Sequence, residues 1–144
     1  MTEIRIGGRS VPLSYSTYEL IAIQREIGCT GFELKDKVFG IRQEDEDDPR
    51  SIRLDVINDP DRMERLGKLI AILGNAGLEE QGKEPNLTEK WVLRNMKPAL
   101  ILGYAVAVMA EISNGNIMAS KEEEDEKPKD VVLEAEQAKK QPGS

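Results

Sequence analysis

The side chains able to do chemistry are few and nearly all of one kind: 27 Asp and Glu, a single Cys and no His among 144 residues. The absence of histidine removes imidazole bases, Ser–His and Cys–His pairs, and histidine metal sites. Cys29 has neither a histidine nor an evident cationic neighbour to lower its pKa, so it reads as a spectator thiol. A lone cysteine cannot close an internal disulfide, which suits a chain that is intracellular or indifferent to redox state. The run Glu44-Asp-Glu-Asp-Asp48 offers the carboxylate oxygens that Ca²⁺ and Mg²⁺ take. Consecutive acids point in different directions, however, and the spacing of a calcium loop is missing. The run reads as a self-repelling, solvated loop ending at Pro49, and Glu79, Glu80 and Glu84 read the same way. Gly28-Cys-Thr-Gly31 has the look of a small anion nest, but a helix stop followed by the next cap explains it more simply. No phosphate-cradling glycine loop occurs. The sequence therefore predicts no catalytic residue, no metal and no cofactor. A net charge of −7 also argues against a nucleic-acid platform, which needs a basic face. At 4% aromatic residues, a base-stacking surface is equally unexpected.

With so little reactive chemistry, the elements themselves become the subject. Thr2 to Leu13 reads as a β-hairpin turning at Gly7-Gly8, with Ile4 opposite Val11 and with Ile6 and Leu13 on the same apolar face. Pro12 marks the second strand as an edge. Ser16-Thr-Tyr-Glu19 has capping-box spacing and opens a helix carrying Leu20, Ile23 and Ile27, which Gly28 ends. Thr30 to Gly40 predicts a further helix through Leu34 and Val38. Ile52, Leu54 and Val56 alternate, in a run too short to separate strand from helical turn. Asp59-Pro60 is a helix start, followed by the stripe Met63, Leu66, Ile70 and Leu73; Gly74-Asn-Ala-Gly77 is expected to end it. Thr88 caps a short helix bearing Trp91, Val92 and Met96, and Pro98 forces a break.

The last helix is the most informative element. Ala99 to Ala110 is twelve residues without a charge, short of the roughly 20 that span a bilayer, so a buried helix in a cytoplasmic protein is expected rather than a membrane segment. A helix apolar all round is expected either to be buried all round as the centre of a small bundle or, in so small a body, to leave one face open for a hydrophobic partner. Within it Ala99, Gly103 and Ala107 recur every four residues, leaving a shallow strip for a close-packed neighbour. Asn114-Gly115-Asn116 is expected to stop it. From Ala119 to Ser144 there are five Lys against eight Asp and Glu, too little apolar area to offset the entropy of ordering. Only Val131 to Ala138 offers a transient helix. The expected organisation is mainly α: a small helical bundle over residues 1–117 with an N-terminal β-hairpin (2–13), then an acidic tail over 118–144 that is disordered or weakly helical.

The order of elements resembles the tail assembly chaperones of long-tailed bacteriophages and prophages, especially those of Gram-positive hosts. The resemblance covers residues 2–117. It rests on the hairpin Ile4-Arg-Ile-Gly-Gly-Arg-Ser-Val11, the helix containing Tyr18-Glu-Leu-Ile and the helix Asp59-Pro-Asp-Arg-Met-Glu-Arg-Leu-Gly-Lys-Leu-Ile. It continues through Leu87-Thr-Glu-Lys-Trp-Val-Leu-Arg-Asn-Met-Lys-Pro98, the long apolar helix and the charged tail.

The resemblance implies a non-enzymatic, mostly helical protein of the host cytoplasm. Such a protein binds the tape measure protein, a long hydrophobic helical chain, and keeps it soluble for tail-tube assembly. It also implies a frameshifted C-terminal extension that recruits tail-tube subunits; Lys139-Lys140 stands where a run of A nucleotides would encode the slip. No nucleic acid and no membrane are implied, and a homo-oligomer stays open. The physical reading agrees, since an escort needs an apolar helical surface and excess charge for solubility. Client contacts are expected from Leu100, Tyr104 and Val108 of the last helix, with Trp91, Met63 and Ile70 nearby. Two other readings stay open: a head–tail connector or similar small phage structural protein, and an enzyme using carboxylates alone.

Overall fold

The computed structural model describes residues 2–30, 33–43, 47–48 and 52–126. Their order is β1 (Thr2–Ile6), β2 (Arg9–Leu13), α1 (Thr17–Glu26), α2 (Leu34–Lys37), β3 (Ile41–Gln43), β4 (Ile52–Leu54), α3 (Pro60–Glu80), α4 (Glu89–Asn95) and α5 (Ile101–Glu126). Single 3₁₀ turns at Val56–Asn58 and Pro98–Leu100 precede α3 and α5. The chain is mainly α-helical with an N-terminal hairpin. It divides into two units, Met1–Glu111 and Ile112–Ser144, and the division falls inside α5.

In the first unit, β1 and β2 pair antiparallel with Ile4 opposite Val11. Gly7 and Gly8 hold φ of 58° and 74°, the left-handed conformation that a tight two-residue turn demands. Ile4, Ile6, Val11 and Leu13 are all buried, so the apolar face of the hairpin is covered as its alternation requires. α1 opens with the carboxylate of Glu19 accepting from the Ser16 N–H at 2.8 Å, and Gly28 closes it with φ of 81°.

α3 is the element on which the rest packs. The Asp59 carboxylate accepts from the Asp61 N–H at 2.9 Å, and Pro60 occupies the first turn. Leu66, Leu69, Ile70 and Leu73 are fully buried. The helix does not stop at Gly74 to Gly77 but continues to Glu80. Those glycines are contact points instead. A side-chain carbon at Gly77 would collide with the carbonyl of Pro12, and one at Gly74 would stand 2.6 Å from Leu87 and 2.8 Å from Val11. One at Gly67 would stand 2.7 Å from Leu93. The cost of glycine inside a helix, about 1 kcal/mol each relative to Ala, is the condition for bringing the hairpin and α4 this close.

Three more expectations need correction. The helix foreseen over Thr30–Gly40 is a single turn, Leu34–Lys37, because one turn suffices to bury Leu34, Val38 and Phe39 before Gly40 turns left-handed at φ of 58°. The strand at Ile52–Leu54 has a partner that the sequence did not announce, Ile41–Gln43, paired antiparallel. The buried carboxylate of Asp55 ties this second hairpin together, lying 2.5 Å from Arg42 Nε and 3.2 Å from Arg53 Nε. Finally, α5 runs straight through Asn114-Gly115-Asn116 to Glu126. Asn and Gly cost a helix well under the cost of Pro, and the Met, Ala, Lys and Glu that follow are good formers. Of the acidic run, residues 44–46 lie outside the described residues, as do 127–144 with the transient helix expected there.

Candidate functional site

The surface that could meet a partner is built at the start of α5. Met96 and Lys97 adopt extended backbone after α4, and Pro98 then re-initiates the chain through a 3₁₀ turn into α5. From that point two stripes run along one helix. Ile101, Tyr104, Ala105 and Val108, at i, i+3, i+4 and i+7, are buried. Ala99, Leu102, Gly103, Val106 and Ala110 repeat the same spacing on another face and are exposed. Both stripes are apolar.

Of the two readings of this helix, buried all round or with one face left open, residues 101–111 follow the second. The first strand is tied to the buried side, where the Tyr104 hydroxyl donates to the Arg5 carbonyl and the Glu111 carboxylate accepts from the Thr2 N–H. Leu100, Leu102 and Val106 keep 50%, 41% and 52% of their surface in water. The strip of small residues is open too: no atom lies within 4 Å of where a side-chain carbon at Gly103 would be. From Ala99 to Ala110 this apolar face is about 17 Å long at 1.5 Å per residue.

The six residues expected to contact a client do not form one surface. Leu100 is exposed as expected. Tyr104 is 8% exposed, and Val108 and Ile70 are fully buried; they hold the first unit together and face no partner. The Tyr104 hydroxyl donates to the Arg5 carbonyl at 2.7 Å, which satisfies the polar end of an otherwise apolar buried side chain. Met63 and Trp91 are half-buried. The Arg9 guanidinium lies 5.6 Å from the Trp91 ring centroid, within cation–π range, and also donates to Asn86 Oδ1 at 2.8 Å. Trp91 is thus engaged by the hairpin turn. Leu102 and Val106, not among the six, are the exposed apolar residues at i, i+4 on the opposite side of α5 from the buried stripe.

Comparison with family models, curated proteins and solved structures returns no match. The reading of this chain consequently rests on its own surfaces.

For catalysis the described residues offer little to work with. Among them no three His, Cys, Asp or Glu come together as metal ligands. Cys29 is buried. Glu80, expected to be simply solvated, accepts from the Ser14 hydroxyl at 2.5 Å and so anchors the exit of β2 to the end of α3. Two groups are displaced in their titration. Burial raises the Tyr15 phenol above its ordinary value. The Thr30 N–H, then Lys37, hold the Glu33 carboxyl below its ordinary value; both are local turn contacts. Among the described residues no single helix is long and apolar enough to cross a membrane.

Proposed function

We propose that this chain is a non-enzymatic tail assembly chaperone of a long-tailed phage or prophage. It acts as a small helical bundle that binds the hydrophobic tape measure protein and keeps it soluble until the tail tube forms around it. The observation that carries this reading is the exposed apolar stripe of α5, Leu102, Gly103 and Val106, flanked by Leu100. Exposed contiguous apolar surface marks interaction sites on proteins of this size, and an apolar helix face with an open small-residue strip suits a helical client. A charge of −7 suits the task of keeping a greasy client in solution.

The magnitudes say how such an escort works. Burying the remaining half of Leu100, Leu102 and Val106 yields about 1 kcal/mol each, about 3 kcal/mol together. A millimolar dissociation constant already requires about 4 kcal/mol, and ordering costs come on top. One copy on one short client segment is too weak to hold it. Several copies along a long client, each released in turn as tube subunits replace it, fit both the weak contact and the need for release.

The test is refolding in the presence of the chaperone. A tape measure protein of a long-tailed phage or prophage, diluted from urea, should aggregate alone and stay soluble when this protein is added in excess. Equal light scattering with and without it would contradict the proposal.

A further inference from the structure

The first unit holds a second surface, unrelated to α5: a half-open cleft of about 350 Å³ between α1 and α3, closed at one side by the segment leading into α4. Its floor is small and apolar, formed by Ala22 of α1 with Ala71, Ile72 and Ala76 of α3. The α3 residues lining it, from Lys68 to Glu79, follow helical spacing along one line, so the cleft is about 16 Å long. That volume lies at the small end of the roughly 300–1,000 Å³ typical of binding sites, and the length matches about five residues of extended chain at roughly 3.3 Å each.

The rim decides what such a segment must carry. Glu26, Glu79 and Glu89 all line the cleft, and among the described residues none of their three carboxylates has an ion-pair or hydrogen-bond partner. A fourth acid, Glu19, is committed to capping α1. Among the described residues lining the cleft the one cation, Lys68, is directed to the Glu26 backbone carbonyl, 3.5 Å away. At the lip stands Tyr18, an aromatic ring 77% exposed. Carboxylates at both ends and an aromatic face at the lip complement cationic side chains, while an alanine floor admits a close-lying backbone and small apolar groups.

We propose that this cleft docks a short peptide segment of a partner protein, with Lys or Arg at its ends and small apolar residues between them. The proposal is independent of the client reading for α5 and is tested without any client.

The probe is a fluorescently labelled Lys-Ala-Leu-Ala-Lys peptide titrated with the full chain at low salt and read by anisotropy. Saturable binding that weakens at least tenfold in E26Q/E79Q/E89Q, while E3Q/D36N/E84Q stays within twofold of the wild type, is the expected result. Glu26, Glu79 and Glu89 are exposed or half-exposed at the rim while Glu3, Asp36 and Glu84 lie outside it, and circular dichroism of each variant checks that the fold is kept. The same peptide with Glu for Lys should not saturate. Absence of saturable binding, equal weakening in both triple variants, or binding of cadaverine as tight as the peptide would each overturn the proposal; the last two would reduce it to bulk attraction or to an ammonium site that ignores the floor.

Discussion

The Tyr104 hydroxyl donates a 2.7 Å hydrogen bond to the carbonyl of Arg5, and this fixes which way the start of α5 is turned. With Tyr104 facing the hairpin, residues two positions to either side, Leu102 and Val106, are rotated by about 200° and point away. The buried tyrosine, with Ile101, Ala105 and Val108 on the same side, thus leaves the apolar stripe of Leu102 and Val106 looking outward.

Removing that hydroxyl leaves the ring packing intact but strands the Arg5 carbonyl. Y104F is expected to cost about 1 kcal/mol and Y104A about 3–5 kcal/mol, both measured by urea denaturation. A Y104F protein as stable as the wild type would mean that the bond does not hold the helix.

Two glycines should respond in opposite directions. At Gly77 an added methyl meets the Pro12 carbonyl, and backbone cannot yield as a side chain can, so G77A is expected to destabilise by about 3 kcal/mol. At Gly103 the space is empty and the backbone is helical, so G103A should gain about 0.5–1 kcal/mol from helix propensity. Thermal melts of both variants check the pair.

Acid should loosen the turn before α2. The Glu33 carboxyl titrates below its ordinary 4.5 because the Thr30 N–H and then Lys37 favour its charged form. A group depressed in the folded state stabilises it above 4.5, and this contribution fades as pH falls through the lower folded value. The urea midpoint of the wild type should therefore exceed that of E33Q near neutrality, and the gap should close on acidification. A gap independent of pH would remove the role of the charge.

Affinity for a client should grow with client length. A segment just long enough for one copy is expected to bind with a dissociation constant near or above the millimolar range, whereas a segment several times longer should gain steeply through multiple copies. Calorimetry on a short and a long segment measures both, and equal affinities would contradict the many-copies reading.

Much of this fold was readable from local signals. Gly7-Gly8, Ser16 with Glu19, and Asp59-Pro60 each declare a turn or a cap through chemistry confined to a few residues. The glycines of α3 misled because a stop and a close approach leave the same letter in the sequence: Gly74 and Gly77 make room for Val11 and Pro12, some sixty residues away. β3 was missed because Ile41–Gln43 carries no alternating pattern of its own and is defined by its pairing with Ile52–Leu54. The exposed face of α5 was half legible. An all-apolar helix announces that something must cover it but not which side its own chain covers; that choice falls to Tyr104, whose partner lies 99 residues earlier.

The most direct measurement is the soluble fraction of the tape measure protein co-expressed with this chain or with its L102D/V106D variant. Both positions are exposed, so the variant should keep the wild-type melting temperature to within a few degrees. The account predicts that the wild type keeps most of the client soluble and that the variant leaves most of it in the pellet. A variant that folds normally and rescues the client as well as the wild type would contradict it.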